Sequence, residues 1–468
     1  MGLLTFAFFS FFAAVCLAYW AVPARWRSWL LLGASLAFYA IWNAGLLALL
    51  VGTTVINHLL LRRLRPDGSH RLAVLRLGIV IQCALLFTFK YFAFFVDSAA
   101  AVFALSGIHT EPLVLQLVVP LGLSYYCLRA IALLADTYRG QYDGKLSLPE
   151  HALYLLFFPS VTAGPIDRPR QFLDQLHTNG GCGWRTAIPR GADLLFVGLL
   201  KKAVIANGLA PVVDGLFAGA FTSTGAAALA AVTYAFYIYA DFSGYTDIAR
   251  GVAGCLGIEL TVNFRRPYAA RSTSEFWQRW HMSLSTWLRD YVFLPLGGAF
   301  RSPLRAYANL VITMLIAGLW HGASFMFVLW GLYIGLLLVA HRALQPSLRK
   351  LRRAARLRGW TKRVVETGLT FSLISAGWLL FRGTNLGQTA SAFRGGMANL
   401  ADCADFARQV VPYGIALFGL DLVIGDGEAT LLRGTRLPWW TKPILVAVGV
   451  YAFLILGTDT QSFVYAQF

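Results

Sequence analysis

Ala308-Asn-Leu-Val-Ile-Thr-Met-Leu-Ile-Ala-Gly-Leu-Trp-His321 runs into Gly322, and a second apolar run follows over residues 324–342. A helix needs about 20 apolar residues to cross a bilayer core about 30 Å thick. Runs of this kind recur along the chain, so the fold class is decided here. Helix starting near Asn309 carries the chain about 18 Å deeper by His321, at 1.5 Å per residue. That point lies beyond the midplane of the core. An ionisable residue inside a membrane segment is costly, and is by default a candidate functional group. Gly322, next to it, permits a bend or a close approach.

The stretch before it is polar and aromatic. Glu275-Phe-Trp-Gln-Arg-Trp-His281-Met-Ser-Leu-Ser-Thr-Trp-Leu-Arg-Asp290 lies within residues 264–306, which hold seven arginines and two acids. By charge this segment is cytoplasmic. Its Trp, Tyr and Phe content predicts short helices at or dipping into the inner leaflet, with the rings at headgroup level. His281, between Trp280 and Met282, gains weight as a functional residue from the company of His321. A neutral imidazole with a pKa near working pH can take a proton from a hydroxyl. A histidine hydrogen-bonded between helices for packing fits His321 equally well. Further upstream stands Asp241-Phe-Ser-Gly-Tyr-Thr-Asp247. Helical spacing puts Ser243 and Asp247 on one face and lets Asp247 pair with Arg250. An internal salt bridge is the preferred reading there. Asn263-Phe-Arg-Arg-Pro267 ends the run with a proline stop.

Composition agrees. Of 468 residues, 57% are hydrophobic and only 13% charged, about half the charged fraction of a soluble domain. The formal net charge of +18 is spread between spans, which fits lipid topology and excludes a nucleic-acid partner. The run Arg349 to Arg363 is expected against anionic membrane lipids. The six cysteines show no metal-ligand spacing and no disulfide framework, so no metal is expected. There is no phosphate-binding GxxxxGK[ST] loop, GxGxxG, GxSxG or HExxH. An ATP-driven pump, a lipase and a zinc protease are therefore disfavoured.

Residues 3–21 read as a first span in preference to a cleaved signal peptide. Residues 28–43 and 45–61 form a tight pair around Asn43-Ala-Gly45. Residues 72–96 go outward, the loop 97–112 lies outside, and 113–134 return. The 150–164 run is too short to span and is expected to be re-entrant or interfacial, covered by protein. Residues 191–207 go out, with Lys201 and Lys202 snorkelling, and 225–250 come back. After the hairpin at His321 a basic loop, 343–363, is inside. Spans 364–382, 411–425 and 443–458 complete an all-α polytopic membrane protein. It has about twelve transmembrane or re-entrant helices around a central intramembrane site, with both termini outside. A single membrane domain over 1–468 is expected. It comprises N-terminal helices (1–145), a core (150–342) with the amphipathic segment 264–306, and C-terminal helices (364–468).

These stretches resemble the membrane-bound O-acyltransferase family, and most closely its bacterial branch of alginate and peptidoglycan O-acetylation subunits. The matching stretches include Lys90-Tyr-Phe-Ala-Phe-Phe95, Pro120-Leu-Gly-Leu-Ser-Tyr-Tyr126, Ala135-Asp-Thr-Tyr-Arg-Gly140 and Phe157-Phe-Pro-Ser-Val-Thr-Ala-Gly-Pro-Ile-Asp-Arg168. Asp241 to Asp247, Asn263 to Tyr268, Glu275 to Gly298, Leu319-Trp-His-Gly322 and the terminal Phe463 to Phe468 complete them. The resemblance covers essentially the whole chain. It implies that His321 is the family's signature histidine and His281 the second histidine of the bacterial branch. Asp241, Ser243, Asp247, Asn263, Arg279, Trp280, Ser283, Trp287 and Trp320 would support the donor and acceptor channel. It further implies acetyl-CoA as a cytoplasmic donor substrate, with no permanently bound cofactor. An extracytoplasmic SGNH-type acetyltransferase or polysaccharide-modification complex is the implied partner, and a bacterial inner membrane the implied location. D-alanyl transfer from a carrier-protein thioester to teichoic acid is the competing chemistry. A transporter without acyl chemistry is the competing class, although the repeat symmetry of common transporters is missing.

Overall fold

The computed structural model describes residues 5–64, 70–107, 117–143, 145–178, 182–299, 302–354, 359–424 and the positions 447, 449 and 451; residues 348–354 and 423–424 are described by backbone alone. Every regular element among them is helical. Among the described residues seven helices are long and apolar enough to cross a membrane, and Phe6–Ala21 and Val411–Leu422 are shorter apolar helices. The chain is a multi-pass membrane protein. All of the expected span 443–458 except positions 447, 449 and 451, and the C-terminal end, lie outside the described residues. The chain divides into two compact units, residues 1–191 with 252–261 and 322–324, and residues 192–251 with 262–321 and 325–468.

In the first unit, Ala24–Arg63 is one 40-residue helical stretch broken at Asn43 (φ −163°, ψ 109°). Unbroken, it would be about 60 Å long, twice the core thickness. The Asn43 carboxamide oxygen accepts the Leu46 N–H at 2.9 Å, capping the helix that restarts. The helix Leu123–Tyr138 is buried at every residue from Tyr125 to Thr137. It is the core of this unit, and both its ends fall later than the 113–134 span expected. That span was placed by apolarity alone, whereas Gly122, at φ 70°, sets the start. A side chain on Gly122 would collide with the Val161 carbonyl. The expected outer loop 97–112 is helical as far as Leu105, because its Ala-rich sequence favours helix.

The short run near residue 150 is the helix Leu148–Leu156, started by a Ser147/Glu150 capping box with Pro149 in its first turn. After Phe157 the backbone leaves the helix and stays buried through Pro165 apart from Thr162. Buried non-helical carbonyls need partners. Arg129, itself buried, donates to the carbonyls of Ser160 (3.2 Å) and Pro165 (2.7 Å). Asp167 accepts from the N–H and hydroxyl of Thr261, both at 2.7 Å.

The helix Trp184–Leu199 enters the second unit at Ala192 and continues through a π-helical segment, Leu200–Ala206, into Asn207–Leu216. It meets the helix Thr224–Cys255 backbone to backbone. A Cβ on Gly244 would lie 2.8 Å from the Lys202 nitrogen and 2.9 Å from the Gly198 oxygen. Lys201 and Lys202 do not snorkel. Lys202 pairs with Asp241, and Lys201 pairs with Asp247 at 2.9 Å and lies 3.9 Å from Asp421. A carboxylate within the protein removes the need to reach water.

The helices Pro303–His321 and Phe325–Ala354 form a hairpin packed on glycine. A side chain on Gly318 would collide with the Phe327 carbonyl, and one on Gly331 with the Met314 carbonyl. A Cβ on Gly335 would lie 3.1 Å from the Val311 Cα. Small residues let helix backbones approach this closely in membranes. The first helix begins at Pro303, earlier than Asn309, since proline is tolerated in a first turn and the Ser302 hydroxyl accepts the Arg305 N–H at 3.4 Å. The expected basic loop 343–363 is helix as far as Ala354, and the next helix is Gly359–Arg382. Good helix formers such as Leu, Arg and Ala dominate that stretch.

Candidate functional site

The site in the second unit is built by short elements between two long helices. Residues 262–266 are non-helical. Thr273–Trp277 and Met282–Leu288 are single short helices, followed by the π-helical Arg289–Phe293. Several of their aromatic rings turn into the protein. Trp280 stacks on Phe276 (5.4 Å between centroids, 18°) and packs on Phe264 at 5.0 Å and Trp378 at 5.2 Å. Burying large rings against one another gains more than leaving them at an interface.

His281 stands at the entry to Met282–Leu288 with φ 40°, a left-handed conformation unusual outside glycine. Asn263 holds it there from both sides. The Asn263 carbonyl accepts the Met282 N–H at 3.0 Å, and its side-chain oxygen accepts the Ser283 N–H at 3.1 Å. Two of the helix's first N–H groups are thereby satisfied. The His281 ring is 1% exposed. It meets Phe242 at 4.7 Å and 85°, and Trp320 at 6.1 Å. Neither ring nitrogen has a hydrogen-bond partner among the described residues. Burial pushes the imidazole down to about 3, so it is neutral.

His321 ends the helix Pro303–His321 and is 4% exposed. Trp320, Trp330 and Phe381 surround its ring, each at 5.1 Å. The two histidines therefore flank one indole, that of Trp320. Aromatic rings line both buried imidazoles.

The other residues singled out by sequence fall into two sets. Asn263, Trp280, Ser283 and Trp320 belong to the cage around the histidines. Ser243 follows Phe242, is buried, and its hydroxyl has no partner among the described residues. Asp241 and Asp247 are engaged in the buried ion pairs with Lys202 and Lys201, and Asp247 also meets Arg250 at 3.5 Å. Arg279 faces outward and pairs with Glu275 at 2.7 Å. Trp287 packs on Tyr291 at 5.2 Å. Among the described residues no group of three His, Cys, Asp or Glu side chains could hold a metal.

Residues 123–376, which contain both histidines, Asn263, Trp320 and Trp330, match the membrane-bound O-acyltransferase family. The chain belongs to that family. Among its relatives is the "Probable alginate O-acetylase AlgI" of Azotobacter vinelandii, 38% identical over 377 residues, covering 79% of this chain and 72% of that one. The peptidoglycan O-acetyltransferase of Helicobacter pylori is 34% identical over 409 residues, 81% of this chain and 75% of that one. The teichoic acid D-alanyltransferase of Bacillus subtilis is more distant, 29% identical over 272 residues, 56% of this chain and 68% of that one. The chain is thus an acyltransferase. An acyltransferase needs a base, a dry site and polar groups aimed at the reacting carbonyl. Of the residues that shape the cage and the ion pairs behind it, sequence reading missed Trp330, Phe381, Phe242 and Asp421. Tryptophan and phenylalanine in an apolar run carry no distinguishing signal, since packing and interface residues look alike there.

Proposed function

We propose that this acyltransferase takes an acetyl group from acetyl-CoA on the cytoplasmic side of a bacterial inner membrane. It delivers the acetyl group outward for O-acetylation of a cell-surface or secreted polysaccharide, alginate-like or peptidoglycan. A separate extracytoplasmic transferase of the SGNH type is its proposed partner. The observation that carries the chemistry is the placement of two buried imidazoles on either side of Trp320. The acetyl-transferring relatives support the choice of acyl group.

In this reading His321 removes the proton from an acceptor hydroxyl as its oxygen attacks the thioester carbonyl. The tetrahedral intermediate then collapses, and the thiolate leaves with the proton that His321 held. His281, neutral, orients the donor or hydrogen-bonds the sulfur. Removing a positioned base costs about 10²–10⁴ in rate. Purified protein in detergent or nanodiscs should release CoA from acetyl-CoA slowly, and His321→Gln should abolish release while inserting and melting like the parent. A well-folded His321→Gln protein with near-normal acetyl transfer would overturn the base assignment. Inertness toward acetyl-CoA with turnover of an acylated carrier protein would overturn the donor.

A further inference from the structure

Buried tryptophan N–H groups usually find an acceptor, and each buried polar group without one needs an explanation. Trp277 Nε1 and Trp330 Nε1 are among the indole nitrogens of the second unit that are buried with no hydrogen-bond partner among the described residues. They are neighbours: the rings lie 5.9 Å apart at 71°. Both belong to one continuous run of touching rings, His281, Trp320, His321, Trp330 and Trp277. Trp330 is 1% exposed, and its ring stands perpendicular to that of His321 (5.1 Å, 89°). The sulfur, base and carbonyl of an acyl transfer have to meet within a few ångströms of that imidazole.

The chemistry leaves one role open there. When a hydroxyl oxygen adds to a thioester carbonyl, the carbonyl π pair moves to oxygen and an alkoxide forms. In an apolar enclosure that charge needs a fixed hydrogen-bond donor. His321 is occupied with the hydroxyl proton. The cage around it is made of phenyl and indole rings, and phenyl rings donate nothing. We infer that the Trp330 indole N–H, seconded by that of Trp277, donates to the acyl carbonyl oxygen and stabilises the oxyanion. Trp330 is then a catalytic residue. The step balances without a further reactant: the C–O bond forms, the C–S bond breaks, and the hydroxyl proton passes through His321 to the thiolate.

Position supports the assignment. Gly331, beside Trp330, and Gly318, one turn before His321, seat their two helices backbone to backbone. The donor and the base are held at a fixed separation, as preorganised stabilisation requires. The inference rests on the acyl-transfer reading above, and needs no particular acyl donor.

Trp330→Phe tests it, because the phenyl ring keeps an aromatic face on His321 while losing the N–H together with part of the ring volume. Steady-state CoA release from acetyl-CoA should fall about 10²–10³-fold in kcat, the cost of one oxyanion donor. KM should stay as in the parent, while the smaller ring lowers the thermal midpoint by a few degrees without unfolding the protein. The carbonyl stretch of bound acetyl-CoA should move to higher wavenumber in the variant, since a hydrogen bond to that oxygen is lost. Trp277→Phe should show the same pattern more weakly. Near-normal kcat in a folded Trp330→Phe protein overturns the inference. An unshifted carbonyl stretch alongside a lowered kcat does so too, because that marks a packing role. If the parent proves inert with acetyl-CoA and active with an acylated carrier protein, only the donor reading falls. The same variant assayed on that thioester then decides the role of Trp330 by the same kcat criterion.

Discussion

His281 shows how one residue's strained backbone depends on a partner far along the chain. Its φ of 40° is tolerated because Asn263 occupies the first N–H groups of the helix that follows. Loss of a helix-capping side chain costs about 0.5–2 kcal/mol. Asn263→Ala should lower the thermal midpoint modestly and raise KM for acetyl-CoA, as the imidazole loses its bearing. Asn263→Asp keeps the acceptor and should recover much of both. Equal KM values in parent and alanine variant would separate His281 from donor binding. The sequence shows His281 and His321 plainly, because a histidine is conspicuous in apolar or aromatic surroundings. It does not show Asn263 as a cap, since the helix it serves starts only after His281. Trp330 is likewise silent: a lone tryptophan in an apolar run reads as packing or interface.

At the level of elements, the π-helical segment Leu200–Ala206 lets adjacent lysines serve separate carboxylates, Asp247 and Asp241, on the helix Thr224–Cys255. Lys201 also faces Asp421, which accepts from the Tyr239 hydroxyl at 2.7 Å. Tyr239 in turn packs on Tyr268 and Trp280, so the ion pairs back the aromatic cage. Removing one partner of a buried pair costs about 3–5 kcal/mol, whereas replacing both by apolar residues is often neutral. Lys202→Met should therefore unfold much earlier on heating in detergent, and Lys202→Met with Asp241→Leu should recover most of the loss. A single variant as stable as the parent would show that water reaches the pair. Long apolar helices such as Gly359–Arg382 are legible in the sequence because length and hydropathy suffice. The buried lysines are not, because a lysine in an apolar run can reach an interface or an internal acid, and one chain's sequence does not say which.

For the whole molecule, orientation follows from where basic residues fall. Arg139 and Lys145 border one connection, while residues 97–112 hold neither Lys nor Arg. A reporter inserted after Gly140 should read cytoplasmic and one after Gly107 extracytoplasmic; the reverse would invert every span between them. The class of fold was legible from apolar run length, and the boundaries were not, since the helix ends at Gly122, Asn43 and Pro303 are set by local backbone chemistry and not by hydropathy. The glycine-seated hairpin of Pro303–His321 and Phe325–Ala354 has a consequence for turnover. Helices in contact at Gly318, Gly331 and Gly335 have little room to slide past one another, so His321 and Trp330 sit on a stiff jig. If they carry the proposed chemistry, the pace of the cycle should belong to traffic, the arrival of the acyl thioester and the departure of the spent thiol, and turnover should respond to the viscosity of the medium.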